Sequence, residues 1–297
     1  MSVKVTRVAV IGGYGKMGRW FARALRAEGL YVTIAGRDET KLHEAAVELG
    51  VAAASNREAA QSAEAVILSV PIDSFESIAK EIAPAVKPGQ YIFDITSIKA
   101  RPIDIMHKYF GGCRVLGTHP MFGPGASFVS GQRFVLTPTN TEEWELAGVI
   151  RRYLEERGAK VAVISPAAHD ELMAIVLGLS HFIALVSADT LLSLGKLKEA
   201  GEVGGTTYRL LLTLAEGVVS ENPGFYSSLQ MNLPGMTEIE NVFLAKVKDW
   251  ADMVKSSDTQ SFAQRMDYLK LKFEQGDPGF ADAYNNAYRL LGEKDRP

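Results

Sequence analysis

The stretch that most restricts what this chain can fold into is RVAVIGGYGKMGRW, residues 7 to 20. A strand-like run, RVAVIGG, leads directly into Gly13-Tyr14-Gly15-Lys16-Met17-Gly18, and KMGRWFARALRAEG then continues with the spacing of an amphipathic helix. A second buried-strand pattern, YVTIAG (31–36), follows. Strand, glycine turn, helix and strand in this order make a βαβ unit. Its glycines let the backbone turn tightly and approach a pyrophosphate, whose charge the helix N-terminus stabilises. Gly13, Tyr14, Gly15, Lys16, Met17 and Gly18 are therefore predicted to cradle a dinucleotide.

The alternation continues. AAAS (52–55), AVILSVP (65–71), YIFDIT (91–96) and RVLGTHP (114–120) read as further strands, with helices such as FESIAKEIAPAV between most of them. RFVLTPT (133–139) precedes a helix capped by Asn140 or Thr141, with Glu142 and Glu143 in its first turn. Gly158 ends that helix, and KVAVIS (160–165) is the last strand. The pattern predicts an α/β domain, a doubly wound Rossmann-type parallel sheet, over residues 1–165. Beyond Pro166 the strand-like runs vanish. Long helical patterns, broken at GEVGG, ENPG, NLPGM and GDPG, predict an all-α second domain over residues 166–297.

Its run 171–194 is hydrophobic on nearly all faces and is expected to be one helix buried on every side. His181, Asp189 and several serines make it a core helix rather than a membrane span. One small helical domain rarely covers such a helix alone, so a homodimer sharing helices is predicted. The net charge of −3 and the scattered basic residues give no stripe for nucleic acid and no polybasic patch for a membrane. MSVKVTRVAVIGG runs into the first strand without the regions of a signal peptide, which predicts a cytoplasmic protein. Cys113, the only cysteine, reads as a small buried hydrophobe, and no clustered His/Asp/Glu set suggests a metal.

The choice of dinucleotide turns on the end of the second strand, Ala35-Gly36-Arg37-Asp38. Gly36 leaves room where an acid would bind the ribose diol of NAD, and Arg37 supplies a cation for a 2′-phosphate. Asp38 is either that acid, placed late, or the cap of the next helix. The reading prefers NADP over NAD. Ser69, Val70 and Pro71, at the carboxyl end of the fourth strand, are expected beside the nicotinamide ribose.

Two further strand ends carry chemistry. DITSIK (94–99) follows one, and THPMFGP (118–124), a histidine on a stiff glycine- and proline-rich loop, follows the next. Oxidation of an alcohol carbon needs a base near the hydroxyl, and histidine is the side chain best poised at neutral pH. His119 is the expected base because it sits at a strand's carboxyl end. His43 and His107 fall on surface helices and read as solvated, whereas His169 reads as a cap or brace where the second domain begins. His181 is either a satisfied core histidine or a group facing the crevice, with Asp170, Met173, Leu177 and Ala184 sharing its face by helical spacing.

Together, Thr118–Pro124, Asp94–Lys99 and Leu179-Ser180-His181-Phe182 resemble the prephenate dehydrogenase family, over the first domain and the first long helix. The resemblance implies NAD(P)-dependent oxidation of the ring alcohol of prephenate with loss of carbon dioxide, giving 4-hydroxyphenylpyruvate for tyrosine synthesis. It implies that His119 takes up the ring hydroxyl's proton, and that Ser97 holds the hydroxyl and helps orient the His119 ring. Ser180 and His181 become substrate contacts, and no metal is needed. The chain departs from the family in two places. The second histidine of Ser-His-x-x-His is absent, Ala184 standing in its place. The arginine expected before the Pro-x-x-aromatic segment Pro223–Tyr226 is missing from 210–222, which leaves Arg209 as the nearest carboxylate-binding candidate. Arogenate or another cyclohexadienyl substrate is therefore the alternative within the same reaction. A dinucleotide sensor without turnover is the alternative of another class. β-Hydroxyacid dehydrogenases share the layout but use a lysine on the long helix, and none occurs between Lys160 and Lys196. No appended regulatory domain is expected, so any feedback by tyrosine would be expected to act at the active site.

Overall fold

A computed structural model describes residues 5–292. The parts of the sequence reading that fall on 1–4 and 293–297 lie outside the described residues. The first unit opens with β1 (Arg7–Ile11), α1 (Lys16–Ala27), β2 (Tyr31–Ala35), α2 (Glu39–Leu49), β3 (Ala52–Ala54) and α3 (Asn56–Ser62). It continues with β4 (Ala65–Leu68), α4 (Phe75–Ile82), β5 (Tyr91–Asp94), α5 (Ala100–Tyr109) and β6 (Arg114–Pro120). β7 (Arg133–Thr137), α6 (Thr141–Glu155) and β8 (Lys160–Val163) complete one eight-stranded sheet of order 3-2-1-4-5-6-7-8.

Strand placement follows composition. Val8 to Ile11 and Ala65 to Leu68 are buried on both faces, so β1 and β4 take the middle of the sheet, while the short, small-residue β3 takes an edge. Alternate residues of β1 serve opposite layers. Ile11 packs with Val66, Leu68, Phe75 and Ile92 on one side, whereas Val10 packs with Ile34, Leu42 and Leu49 on the other. The helices are capped as their sequences suggest. Asp38 accepts from the Lys41 amide at the start of α2, Ser55 and Glu58 form a reciprocal capping box on α3, and Asn140 rather than Thr141 caps α6.

One expectation about the sheet is corrected. It is not parallel throughout, because β7 runs antiparallel to β6 and β8 then pairs parallel to β7. The connection between β6 and β7, residues 121–132, carries no helix. Without a crossover helix the chain turns back beside the strand it has just left.

By contacts the chain divides after Met173, with Met231–Pro234 clustering with the first unit. The first unit thus includes α7 (Pro166–Met173), which the sequence reading placed in the second domain. The second unit is all helical. It begins with a π-helical segment, Ala174–Leu179, and α8 (Ser180–Ser193), followed by α9 (Leu197–Val203), α10 (Thr206–Val219) and α11 (Pro223–Asn232). α12 (Met236–Lys255), α13 (Thr259–Gly276) and α14 (Ala283–Leu290) follow.

The long apolar run also differs from expectation in its geometry. It is not one regular helix, since the π turn shifts the phase between Met173 and Ser180, so the α-helical spacing used to group Asp170, Met173, Leu177, His181 and Ala184 does not run unbroken through it. Within the single chain Ile175, Val176, Val186 and Leu192 are exposed, so the expected burial on every side would take a second copy. Pro166–Ser193 is long and apolar enough to cross a membrane by length and composition alone. Cys113 is half-buried rather than buried; its thiol lies 3.4 Å from the Lys87 carbonyl, and burial pushes its pKa up.

Candidate active site

The carboxyl ends of β1 and β4, where the strand order reverses, form the crevice in which doubly wound sheets bind ligands. The glycine turn after β1 lies there, and its geometry fits a dinucleotide. A Cβ on Gly13 would stand 2.5 Å from Ile34, and one on Gly18 2.4 Å from the Gly12 carbonyl, so both are needed for close packing. At Gly15 a Cβ would stand 3.2 Å from the Gly12 carbonyl, a tight contact but a milder one than at Gly13 or Gly18. Tyr14, Lys16 and Met17 complete the turn into α1, and Ser69, Val70 and Pro71 follow β4 beside it.

The end of β2 holds a feature the sequence reading missed. The space left by Gly36 is filled by the Tyr14 ring, 2.3 Å from where a Cβ would be. Asp38 serves as the helix cap, and its carboxylate also pairs with the Lys41 ammonium at 3.1 Å. These hydrogen bonds, first from the Lys41 backbone and then from its side chain, hold Asp38 below the usual carboxylate range. Arg37 is exposed.

The densest polar cluster in the first unit surrounds His119. This residue lies in β6, 5% exposed, with its Nδ1 2.9 Å from Nε2 of His169 on α7. His169 is wholly buried, and its Nδ1 lies 2.7 Å from Oδ1 of Asp170. Asp170 in turn accepts the Lys99 amide at 2.6 Å and the Ala100 amide at 2.9 Å, so a carboxylate from α7 caps α5 across some seventy residues of chain.

Lys99 is wholly buried. Its ammonium pairs with Asp94 at the end of β5 and donates to the Thr118 carbonyl at 2.7 Å. Asp94 also accepts the Thr96 and Thr118 amides, at 3.1 and 3.3 Å, and has the Thr96 hydroxyl at 2.6 Å. This network fixes the backbone on either side of His119.

The electrostatics favour a neutral His119. Burial is the main cause that pushes it well below the ordinary histidine value, and the charges on Lys99 and then His169 add to the effect. His169 is also lowered by burial, against the opposing effect of its hydrogen bond to Asp170. Lys99 is lowered by burial, with Asp94 pulling the other way.

The loop after His119 is tied down by α1. Trp20 donates from its indole nitrogen to the Ala126 carbonyl at 2.6 Å and meets the Phe122 ring edge-on at 4.8 Å. The helix that follows the glycine turn and the loop that follows the histidine are therefore one packed piece.

Several sequence expectations are corrected or redistributed here. His169, expected as a cap or brace where the second domain begins, is the direct hydrogen-bond partner of His119. Ser97 is half-buried on the segment between β5 and α5. His107 is not simply solvated: its Nε2 is 2.5 Å from the buried Glu143. In the second unit, Ser180 is exposed at the start of α8, and Arg209 lies in the first turn of α10. His181 is half-buried, its ring edge-on to Tyr226 at 4.7 Å, and its Nδ1 is buried without a described hydrogen-bond partner. Burial lowers His181 as well.

Known proteins resemble both parts of the chain. Residues 21–163 match the model for the nucleotide-binding domain of prephenate dehydrogenase, and residues 165–268 match its dimerization domain. A probable arogenate/prephenate dehydrogenase of Methanocaldococcus jannaschii is 36% identical over 263 residues, 87% of this chain. The chain spans 59% of that relative's length. A 4-amino-4-deoxyprephenate dehydrogenase of Streptomyces pristinaespiralis is 25% identical over 86% of this chain and 88% of its own. Among solved structures, an Aquifex aeolicus prephenate dehydrogenase with hydroxyphenyl propionate and NAD+ superposes with a TM-score of 0.77. That likeness covers 93% of this chain and 100% of the other at 21% identity.

Proposed function

The chain belongs to the prephenate dehydrogenase family, and on that premise we propose that it catalyses the NAD(P)-dependent oxidative decarboxylation of prephenate to 4-hydroxyphenylpyruvate. The observation that carries this reading is a buried histidine, depressed toward its neutral form and held by a second histidine, in the same unit as a glycine cradle for a dinucleotide.

Gly13, Tyr14, Gly15, Lys16, Met17 and Gly18 would hold the pyrophosphate, with Ser69, Val70 and Pro71 beside the nicotinamide ribose. When bound, the oxidised nicotinamide supplies a two-electron acceptor for the ring carbon that bears the hydroxyl. His119 accepts the hydroxyl proton as that carbon is oxidised, and returns it to the phenol oxygen once the ring carboxylate has left as carbon dioxide. Ser97 holds the hydroxyl. Ser180, His181 and Arg209 are proposed as substrate contacts, on the strength of the family resemblance.

Asp38 is engaged by Lys41, which supports Arg37 and NADP over a ribose-binding acid and NAD. The apolar residues exposed in the second unit, Leu211, Leu214, Val242, Leu244 and Val247 among them, support a homodimer, as does the match to a dimerization domain. We assign the protein to the cytoplasm on the sequence reading alone.

The same reaction on arogenate is the second reading, favoured by the absence of an arginine at 210–222 and by the name of the Methanocaldococcus relative. Absorbance at 340 nm with prephenate or arogenate, and with NADP or NAD, tests both. The expected result is turnover with prephenate and a preference for NADP. Cofactor binding without turnover on either substrate would make the chain a sensor.

A further inference from the structure

We infer that His169 and Asp170 are positioning residues that fix the tautomer of His119, so that its Nε2 carries the lone pair and its Nδ1 the proton. The inference rests on the reading of His119 as the base.

It follows from counting donors. Both oxygens of Asp170 already accept backbone amides, from Lys99 at 2.6 Å and Ala100 at 2.9 Å. A carboxylate so placed faces the ring of its neighbour as an acceptor, so the His169 nitrogen 2.7 Å away, Nδ1, must be the one that carries hydrogen. A neutral imidazole has one protonated nitrogen, so Nε2 of His169 is an acceptor. Its partner at 2.9 Å, Nδ1 of His119, must then donate. That leaves Nε2 of His119, which makes no hydrogen bond among the described residues, with the free lone pair a base requires.

The direction of the chain of hydrogen bonds is thus set at its far end, by the amides that start α5. Lys99 adds to it. Its ammonium is locked between Asp94 and the Thr118 carbonyl, and its charge disfavours a permanent proton on His119. When His119 accepts a proton, His169 and Asp170 lie on the side of its Nδ1–H and stabilise the cation without taking up a hydrogen.

The tautomer can be read without substrate. In protein labelled with 15N at histidine, long-range proton–nitrogen correlations at pH 8 distinguish the two nitrogens of each ring. His119→Asn and His169→Leu assign the signals among the five histidines. The expected spectrum shows Nδ1 of both His119 and His169 protonated. In His169→Leu the His119 ring should revert to the Nε2–H form, and kcat should fall at least about a hundredfold, the scale of a base held in the wrong tautomer. His169→Gln, whose side-chain oxygen can accept from Nδ1–H, should recover most of that loss.

A wild-type His119 protonated at Nε2 would overturn the inference, as would a His169→Leu enzyme with an unchanged His119 spectrum. Failure of the wild type to turn over prephenate would instead overturn the proposed reaction, while the spectrum still decides the tautomer.

Discussion

Replacing Lys99 by methionine removes the one cation in the buried network and keeps most of the side chain's volume. Lys99 and Asp94 are both fully buried, so the substitution strands a carboxylate away from water. Losing one partner of a buried ion pair typically costs about 3–5 kcal/mol. Asp94 keeps the Thr96 amide at 3.1 Å, the Thr118 amide at 3.3 Å and the Thr96 hydroxyl at 2.6 Å, which places the cost near the low end. The Thr118 carbonyl also loses the donor it has at 2.7 Å. That adds about 1 kcal/mol, for a total of about 4 kcal/mol. At about 2–4 °C per kcal/mol for a unit of this size, Tm should fall by about 8–16 °C.

Urea denaturation followed by the fluorescence of Trp20 and Trp144, both in the first unit, in a Trp250→Phe background that silences the helical unit, reads the effect where it occurs. The double variant Asp94→Asn/Lys99→Met removes both charges and should regain at least half of the loss. A single variant within about 1 kcal/mol of wild type would refute the reasoning, because a buried, fully paired carboxylate cannot lose its cation so cheaply.

Three further outcomes are expected. His119 and His169 are both depressed by burial, so between their folded values and about 6.5 the unfolded chain binds protons that the folded chain does not. Their contribution to stability is complete above about pH 6.5 and is lost as pH falls through the folded values. Tm should therefore drop on acidification, and His119→Asn should flatten the drop; a variant with the full wild-type slope would contradict this. Gly18→Ala, with its Cβ 2.4 Å from the Gly12 carbonyl, should cost about 1–3 kcal/mol of stability. Gly15→Ala, whose Cβ would meet the same carbonyl at 3.2 Å, should cost less stability and raise the cofactor KM, and equal effects of the two in thermal melts would count against the cradle. Arg37→Ser should lower kcat/KM with NADP by about tenfold or more, the usual value of a charge-assisted contact, and leave NAD nearly untouched. Parallel losses with both cofactors would remove Arg37 from the discrimination.

What the sequence made legible was local. Val8 to Ile11 and Ala65 to Leu68 are short apolar runs next to turn residues, and such runs become central strands whatever surrounds them. The glycine turn was equally readable, because packing demands its residues at fixed offsets. The reversal of β7 escaped, although the helix-free 121–132 carried a hint, since a parallel return normally needs a crossover helix. The π turn at Ala174–Leu179 was invisible because a run apolar at every position has no phase to break.

The candidate site divided in the same way. His119 was found from its place at a strand end. Its partner His169 lies fifty residues away, and only the packing of α7 against α5 and β7 makes the two neighbours. Asp94 and Lys99 stand in one short motif, and only the fold shows that they form a buried ion pair. An acid closing an apolar strand, with a lysine five residues on, is the signal that could have marked them.

The central claim is that His119 is the base of the oxidation, and steady-state kinetics of His119→Asn with prephenate and NADP test it most directly. The account predicts a kcat at least about a hundredfold below wild type, with the cofactor KM and the thermal stability at neutral pH largely retained. A His119→Asn enzyme that turns over prephenate at a near-normal rate would contradict it.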